Sequence, residues 1–336
     1  MIKIGINGFG RIGRMVFRAA LKSKYFKVVA INDLYDIDYL AYLLKYDSTH
    51  SKLESEIKIE GNYLFVQKNK IKVTSKRDPS QINWSLVEAE YVIESTGKFL
   101  NKELAHKHIK SGAKKVILSA ASSDEIPMFV FGVNHMKYHK EMNIVSNSSC
   151  TTNCIAPILK VVNQNFGIVD GLISTIHAIT SSQSSIDGFD KKNWRLGRGA
   201  VQNIIPTTTG ATDALSKVMP ELKNKITGIS YRVPVSNVSV VDINLNLEKS
   251  TIFENLCRVI KKSSESDDFM GVIGYVDEDL VSSDFISDTR TSIFDARASM
   301  MLNENLVKLV CWYDNEYAYS NKIIDLISHM YNVDQK

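Results

Sequence analysis

The chain has 336 residues, 44% of them apolar and 23% charged, with a formal net charge of +4. That is ordinary for a soluble globular protein and enough for two cored domains. So small a charge gives no reason to expect nucleic acid, although a mildly basic protein tolerates anionic substrates. The four cysteines, at 150, 154, 257 and 311, form no disulfide framework and fit a reducing compartment. The opening MIKIGINGFGRIGR lacks an apolar h-region, so no signal peptide is expected. No run of 18 apolar residues suggests a membrane span.

In chain order, IKIGI (2–6) reads as a buried strand. RIGRMVFRAALKS (11–23) reads as a helix, with apolar residues at 12, 15, 16, 19 and 20. KVVAIND (27–33), YVIEST (91–96) and KKVILS (114–119) are further apolar strands, the last two separated by a helical stretch around 101–111. Buried strands alternating with helices predict a doubly wound parallel sheet, an α/β architecture. Between the first strand and helix, Gly8, Gly10 and Gly13 spell G-x-G-x-x-G. Gly8 permits a tight turn, Gly10 lets backbone approach a pyrophosphate, and Gly13 allows close helix–strand packing. The helix N-terminus offers its N–H groups and positive dipole end to phosphates. Asp33 ends the second strand, 20 residues beyond Gly13, where a carboxylate accepts ribose hydroxyls and repels a 2′-phosphate. The pattern predicts NAD in preference to NADP.

SNSSCTTNC (146–154) is a polar stretch between the apolar runs MNIV and IAPILKVV. Ser148 or Ser149 is placed to cap a helix, which puts Cys150 at its N-terminus. The dipole there stabilises a thiolate, so a lowered Cys150 pKa is expected. Pro157 needs an early helix position or a kink. Cys154 falls one turn on, in the apolar face. C-x₃-C lacks a second pair at ligand spacing, so no metal is expected. Of seven histidines, six are read as structural or solvated. His177 differs, because it ends the buried-type strand GLISTIH and opens the hydroxyl-rich AITSSQSS. The sequence pattern alone does not establish that it meets Cys150. In VSVVDINLNLE (238–248), Val241, Ile243, Leu245 and Leu247 alternate with Asp242, Asn244 and Asn246, which suits an antiparallel sheet with one buried face. The segment 319–333 has helical spacing at 323, 324, 327 and 330.

NGFGRIGR, SCTTNC, GRGAVQNIIP, RVPVSNVSVVD and WYDNE together resemble the phosphorylating glyceraldehyde-3-phosphate dehydrogenases of glycolysis, from residue 2 to about residue 330. The resemblance implies an NAD-binding Rossmann domain over 1–149, with the C-terminal helix 316–336 packing back on it. It implies an α+β catalytic domain over 150–315 with a largely antiparallel mixed sheet. It also implies a cytoplasmic homotetramer, acting on glyceraldehyde 3-phosphate and inorganic phosphate, with no nucleic acid or membrane partner. Cys150 would be the nucleophile and His177 the base and cation partner of the thiolate. Thr180 and Arg232, with Ser182 nearby, would hold the substrate's C3 phosphate. Ser149, Thr151, Thr209 and Gly210 would hold the attacking phosphate. Arg11, Ile12, Asp33, Arg77, Thr96, Ser119 and Asn315 would line the coenzyme, Asn315 at its carboxamide. Residues around 178–202 would reach a neighbouring subunit.

Three positions depart from the family pattern: Ser184 where Lys is usual, Phe189 where Pro is usual, and Ala318 where Gly is usual. Rival readings are an erythrose-4-phosphate dehydrogenase, a cysteine hydrolase, and a non-catalytic NAD- or RNA-binding module. Thr180 with Gln183 argues against the first, the glycine fingerprint with Asp33 against the second, and the small net charge lends the third no support.

Overall fold

A computed structural model describes every residue except Ser123, Ser182 and Lys192. The chain divides into two compact units. One comprises Met1–Phe129, His135–Ser148 and Ser320–Lys336; the other comprises Val130–Asn134 and Ser149–Tyr319. Among the described residues no helix is long and apolar enough to cross a membrane.

The first unit runs β1 (Ile2–Asn7), α1 (Arg11–Leu21), β2 (Phe26–Asn32), α2 (Ile37–Lys45), β3 (Ile57–Glu60), β4 (Tyr63–Val66), β5 (Asn69–Thr74), β6 (Tyr91–Glu94), α3 (Lys102–Lys110), β7 (Lys115–Leu118) and β8 (Ile144–Ser146). Its eight strands lie in the order β3-β4-β5-β2-β1-β6-β7-β8. Pairing is parallel from β5 through β8 and antiparallel only where β3 and β4 meander onto the edge. The chain leaves β1 for β2 on one side and later returns as β6 on the other. The carboxyl ends of β1 and β6 therefore form the topological switch point, where such sheets bind ligands. β6 and β7 are buried along their whole length, as expected of strands covered on both faces, and each carries one charged residue at an end, Glu94 and Lys115, among apolar ones.

The second unit contains α4 (Cys150–Phe166), β9 (Ile168–Ala178), β10 (Ile205–Thr207), α5 (Ala211–Val218), β11 (Ile226–Val233), β12 (Ser239–Leu247), α6 (Phe253–Ser264), β13 (Ile273–Val276), β14 (Ser292–Met301) and β15 (Leu306–Tyr313). The strand order is β10-β11-β9-β12-β15-β14-β13. β9 with β11 and β13 with β14 are parallel, and the other pairs are antiparallel. The expected α/β plus α+β organisation is what the chain adopts. On β12, Val241, Ile243, Leu245 and Leu247 are all buried, as the period of two predicts. Each such side chain contributes about 1.5–3 kcal/mol when taken out of water.

Ser149 caps α4, its Oγ accepting the Thr152 N–H at 3.1 Å. Pro157 lies inside α4, which continues through it. It cannot donate to the carbonyl of Asn153, so one helical hydrogen bond is forfeited. Most of the other side chains of α4 are buried, and that packing holds the helix together. A last helix, α7 (Tyr317–Asp334), closes the chain's secondary structure. Within the first unit, Asp334 accepts hydrogen bonds from the hydroxyls of Tyr91 (2.6 Å) and Tyr138 (2.8 Å).

Candidate active site

The glycine turn closes against the strand beside it. Gly8 has φ +90°, and a Cβ there would lie 2.8 Å from the Thr96 nitrogen. A Cβ on Gly13 would lie 2.1 Å from the Gly8 carbonyl oxygen, so only glycine allows α1 to approach. Around Gly10 a Cβ would meet nothing within 4 Å, which leaves room for a ligand against the backbone. α1 opens at Gly10 with no side-chain cap, so its first-turn amides present a positive end unneutralised by a capping side chain. Asp33 follows β2, and its Oδ2 accepts the Phe9 N–H at 2.6 Å, joining the acid to the turn. These features fit a dinucleotide pyrophosphate and its ribose. Ile12 is half-buried in the first turn of α1 beside Arg11. The Arg11 guanidinium is held by Asp47. Burial pushes the Asp47 carboxyl up, but Arg11 and the amides of His50 and Thr49 outweigh it and leave the pKa at about 2. Thr96 and Ser119 are half-buried at the ends of β6 and β7, and Arg77 is exposed after β5.

In the second unit, Cys150 opens α4 and His177 lies near the end of β9. Cys150 Sγ is 3.5 Å from His177 Nε2. Arg232 is the register partner of His177 across the parallel β9–β11 pair. An Arg232 Nη1 atom lies 2.6 Å from His177 Nδ1 and 3.2 Å from the Ala178 carbonyl oxygen. The same Nδ1 is 2.7 Å from that carbonyl. One nitrogen cannot both donate to a carbonyl and accept from a guanidinium, so the two contacts belong to two tautomers. With Nδ1–H on the carbonyl, Nε2 presents a lone pair to the thiol.

The electrostatics run opposite to the sequence expectation of a thiolate–imidazolium pair. Burial and then the Arg232 charge push His177 down to about 3, against the opposing Ala178 carbonyl and Glu316 carboxylate. His177 is only 5% exposed, so the imidazole is neutral near pH 7. Burial likewise pushes the Cys150 thiol up, offset in part by Arg232 and by hydrogen bonds from Thr151. The partial exposure of Cys150 tempers that rise. Cys154 is fully buried with its thiol raised further, and so is inert packing, as the sequence predicts.

A family model for the NAD binding domain of glyceraldehyde 3-phosphate dehydrogenase matches residues 2–102, and one for the C-terminal domain of that enzyme matches residues 149–315. Glyceraldehyde-3-phosphate dehydrogenase A of Escherichia coli (strain K12) is 53% identical over 329 residues, covering 98% of this chain and 99% of its own. The glyceraldehyde-3-phosphate dehydrogenase of Danio rerio is 54% identical over 331 residues, with the same two shares, 98% and 99%. The chain belongs to the glyceraldehyde-3-phosphate dehydrogenase family. Membership makes it an oxidoreductase that uses NAD.

The remaining residues expected of a glyceraldehyde-3-phosphate dehydrogenase site are placed as follows. Thr151 Oγ1 is 2.9 Å from the Tyr313 hydroxyl, and Ser149 Oγ is 2.7 Å from Thr152 Oγ1. The Thr180 N–H and hydroxyl both donate to Gln183 Oε1, at 2.8 and 3.1 Å. Thr209 Oγ1 accepts the Ala211 N–H at 3.2 Å, and Gly210 stands at the N-terminus of α5. Asn315 is buried in the second unit, its Oδ1 accepting the Ser239 hydroxyl at 2.8 Å. Ser182 lies outside the described residues. Sequence reasoning missed Glu94 and His108, both wholly buried in the first unit. The clue was available, since Glu94 ends an otherwise apolar strand just as Asp33 follows one.

Proposed function

We propose that this chain oxidises D-glyceraldehyde 3-phosphate, with NAD and inorganic phosphate, to 1,3-bisphosphoglycerate in glycolysis. The observation that carries the proposal is the 3.5 Å approach of Cys150 Sγ to His177 Nε2 at the start of α4, in a chain matched to this family along its length. Cys150 adds to the aldehyde carbon and forms a thiohemiacetal. His177 Nε2 takes the proton from its hydroxyl. NAD, when bound, supplies the acceptor for the hydride that leaves the same carbon. The thioester left on Cys150 is displaced by phosphate, an attack that an oxygen ester would resist. Sulfur returns as the thiolate, and the acyl phosphate departs.

The depressed basicity of His177 has a source that the substrate removes. Arg232 is assigned, with Thr180, to the C3 phosphate; Ser182 is carried over to the same anion from the family resemblance alone. When Arg232 turns its charge to that anion, the second cause of the low His177 pKa is neutralised, and Nδ1–H is left to the Ala178 carbonyl. The base is thereby strengthened as the aldehyde arrives. Ser149, Thr151, Thr209 and the backbone at Gly210 are assigned to the attacking phosphate, which hydroxyls and amides suit. Coenzyme binding is assigned to the first unit through Gly8, Gly10, Arg11, Ile12, Gly13, Asp33, Arg77, Thr96 and Ser119. Asn315 is assigned to the carboxamide, and catalysis to the second unit.

The homotetramer and cytoplasmic location are part of the same reading. The loop after β9 exposes Ile186, Phe189, Trp194 and Val201, Phe189 completely. Apolar side chains so placed fit a surface covered by a second copy. Light scattering during size-exclusion chromatography tests the tetramer. The activity is tested by absorbance at 340 nm with glyceraldehyde 3-phosphate and NAD, with and without phosphate or arsenate. No NADH formation under those conditions would sink the reading.

A further inference from the structure

Glu94 ends β6 at the switch point and is 0% exposed. Four donors converge on its carboxylate. Oε1 accepts the Thr96 N–H at 2.8 Å and also the Thr96 hydroxyl. Oε2 accepts from Asn7 Nδ2 at 2.6 Å and contacts His108 Nε2 at 2.9 Å. The tautomer of His108 follows from its other side. Trp84 Nε1 lies 3.0 Å from His108 Nδ1, and an indole N–H only donates. Nδ1 is therefore the acceptor, and the ring proton sits on Nε2, aimed at Glu94.

The network continues along the strand ends. Asn7 Oδ1 accepts from Asn32 Nδ2 at 2.8 Å. Asn32 Oδ1 accepts the Thr74 hydroxyl and the Lys76 N–H, each at 2.8 Å. The Gly8 N–H donates to the Asn32 carbonyl at 2.8 Å, and the Ser119 N–H to the Glu94 carbonyl at 3.0 Å. The turns that carry Gly8, Thr96, Arg77 and Ser119 thus start from one hydrogen-bonded framework centred on Glu94. Around it the core is apolar, with Val92, Val116 and Leu118 buried alongside Trp84. A buried charge is a poor way to stabilise such a core, because an apolar side chain of similar volume does as well or better. What a carboxylate adds here is direction.

We propose that Glu94 is a positioning residue for the coenzyme, held by His108 and Trp84 and fixing Thr96 and the Gly8 turn in their NAD-binding geometry. It touches no reacting atom. The proposal rests on the coenzyme roles assigned above to Gly8 and Thr96.

The test is direct NAD binding by calorimetry, alongside steady-state kinetics. In Glu94→Gln an amide nitrogen replaces one acceptor oxygen and faces two donors, so the Kd for NAD rises about tenfold or more. KM for NAD rises with it, while kcat at saturating NAD and KM for the aldehyde stay within about twofold. Alkylation of Cys150 without NAD proceeds at the wild-type rate, which reports an intact second unit. A second pair of variants serves if Glu94→Gln does not fold. His108→Leu removes one donor from Glu94 and weakens NAD about threefold to tenfold, and His108→Gln, which restores a donor, recovers most of that loss. A purely structural role lowers thermal stability without separating these two variants in NAD affinity. Equal NAD affinity in His108→Leu and His108→Gln, or an unchanged Kd in Glu94→Gln, overturns the proposal. Failure of the wild-type protein to bind NAD overturns instead the coenzyme assignment beneath it.

Discussion

His177 and Arg232 sit opposite one another on adjacent parallel strands, with guanidinium Nη1 and imidazole Nδ1 2.6 Å apart. Burial first, and then this permanent cation, keep the base neutral. Arg232→Ala removes the charge, so the His177 pKa rises and the acid limb of the kcat/KM profile moves to higher pH. Loss of the C3 phosphate contact raises KM for the aldehyde at the same time. An acid limb that stays in place in Arg232→Ala counts against the coupling.

Stability carries the same signature. The folded-state His177 pKa of about 3 lies below its ordinary 6.5, so the unfolded chain binds the extra proton first. Its contribution is complete above about pH 6.5 and is lost as pH falls from there toward 3. His177→Gln should therefore flatten the loss of stability between pH 7.5 and about 5, read from urea midpoints. The same variant should slow turnover by about 10²–10⁴-fold through loss of the base. Identical pH dependence of stability in both proteins contradicts the buried neutral imidazole.

Thiol reactivity should rank by exposure and pH. Cys150 is partly exposed, whereas Cys154 and Cys311 are buried with thiols held well above their ordinary range. Iodoacetamide should modify Cys150 faster than Cys154 or Cys311. Its rate should climb on the alkaline side of neutrality, because burial raises the Cys150 thiol. Mass mapping of alkylated peptides across pH decides it. A rate already at its plateau near pH 6 means that the thiolate is stabilised after all.

Coenzyme choice should depend on Asp33. Its Oδ2 is bonded to the Phe9 N–H, which fixes the carboxylate beside the glycine turn. NAD should be strongly preferred, and Asp33→Gly should weaken NAD while relieving repulsion of NADP. Comparable kcat/KM for both coenzymes in the wild-type protein contradicts this.

Ser184 stands where the family usually carries lysine, in the loop after β9, and its carbonyl accepts the Ala200 N–H at 2.9 Å. Ser184→Lys should lower KM for phosphate or for the aldehyde, by about 1 kcal/mol or less, because the added charge is solvent-screened. The gain should fade at high salt. Unchanged kinetics with altered oligomer stability would place the side chain at a subunit contact instead.

What the sequence made legible was local. The glycine turn, the Ser149 cap and the alternation along β12 are each written within a dozen residues of the feature they create, and Asp33 stands at the customary spacing from the turn it serves. The meeting of His177 with Arg232 was not, because it depends on β9 pairing in parallel with β11, 55 residues away. The short strand β3 at the sheet edge, β4 beside it and the flanking β13 likewise draw their structure from neighbours rather than from their own pattern. The burial of Cys150 and His177, which pushes the thiol up and the imidazole down, was not legible for a related reason. The helix dipole can be read from sequence, whereas the approach of His177, desolvation and a guanidinium from another strand depend on the finished fold.

The division of the chain also bears on the order of its birth. Segment 320–336 belongs to the first unit, yet it is translated after the whole of 149–319. On a ribosome the second unit can close while the first still waits for its last helix, and for Asp334 to reach Tyr91 and Tyr138. The half that emerges first is therefore the half whose last segment is made last.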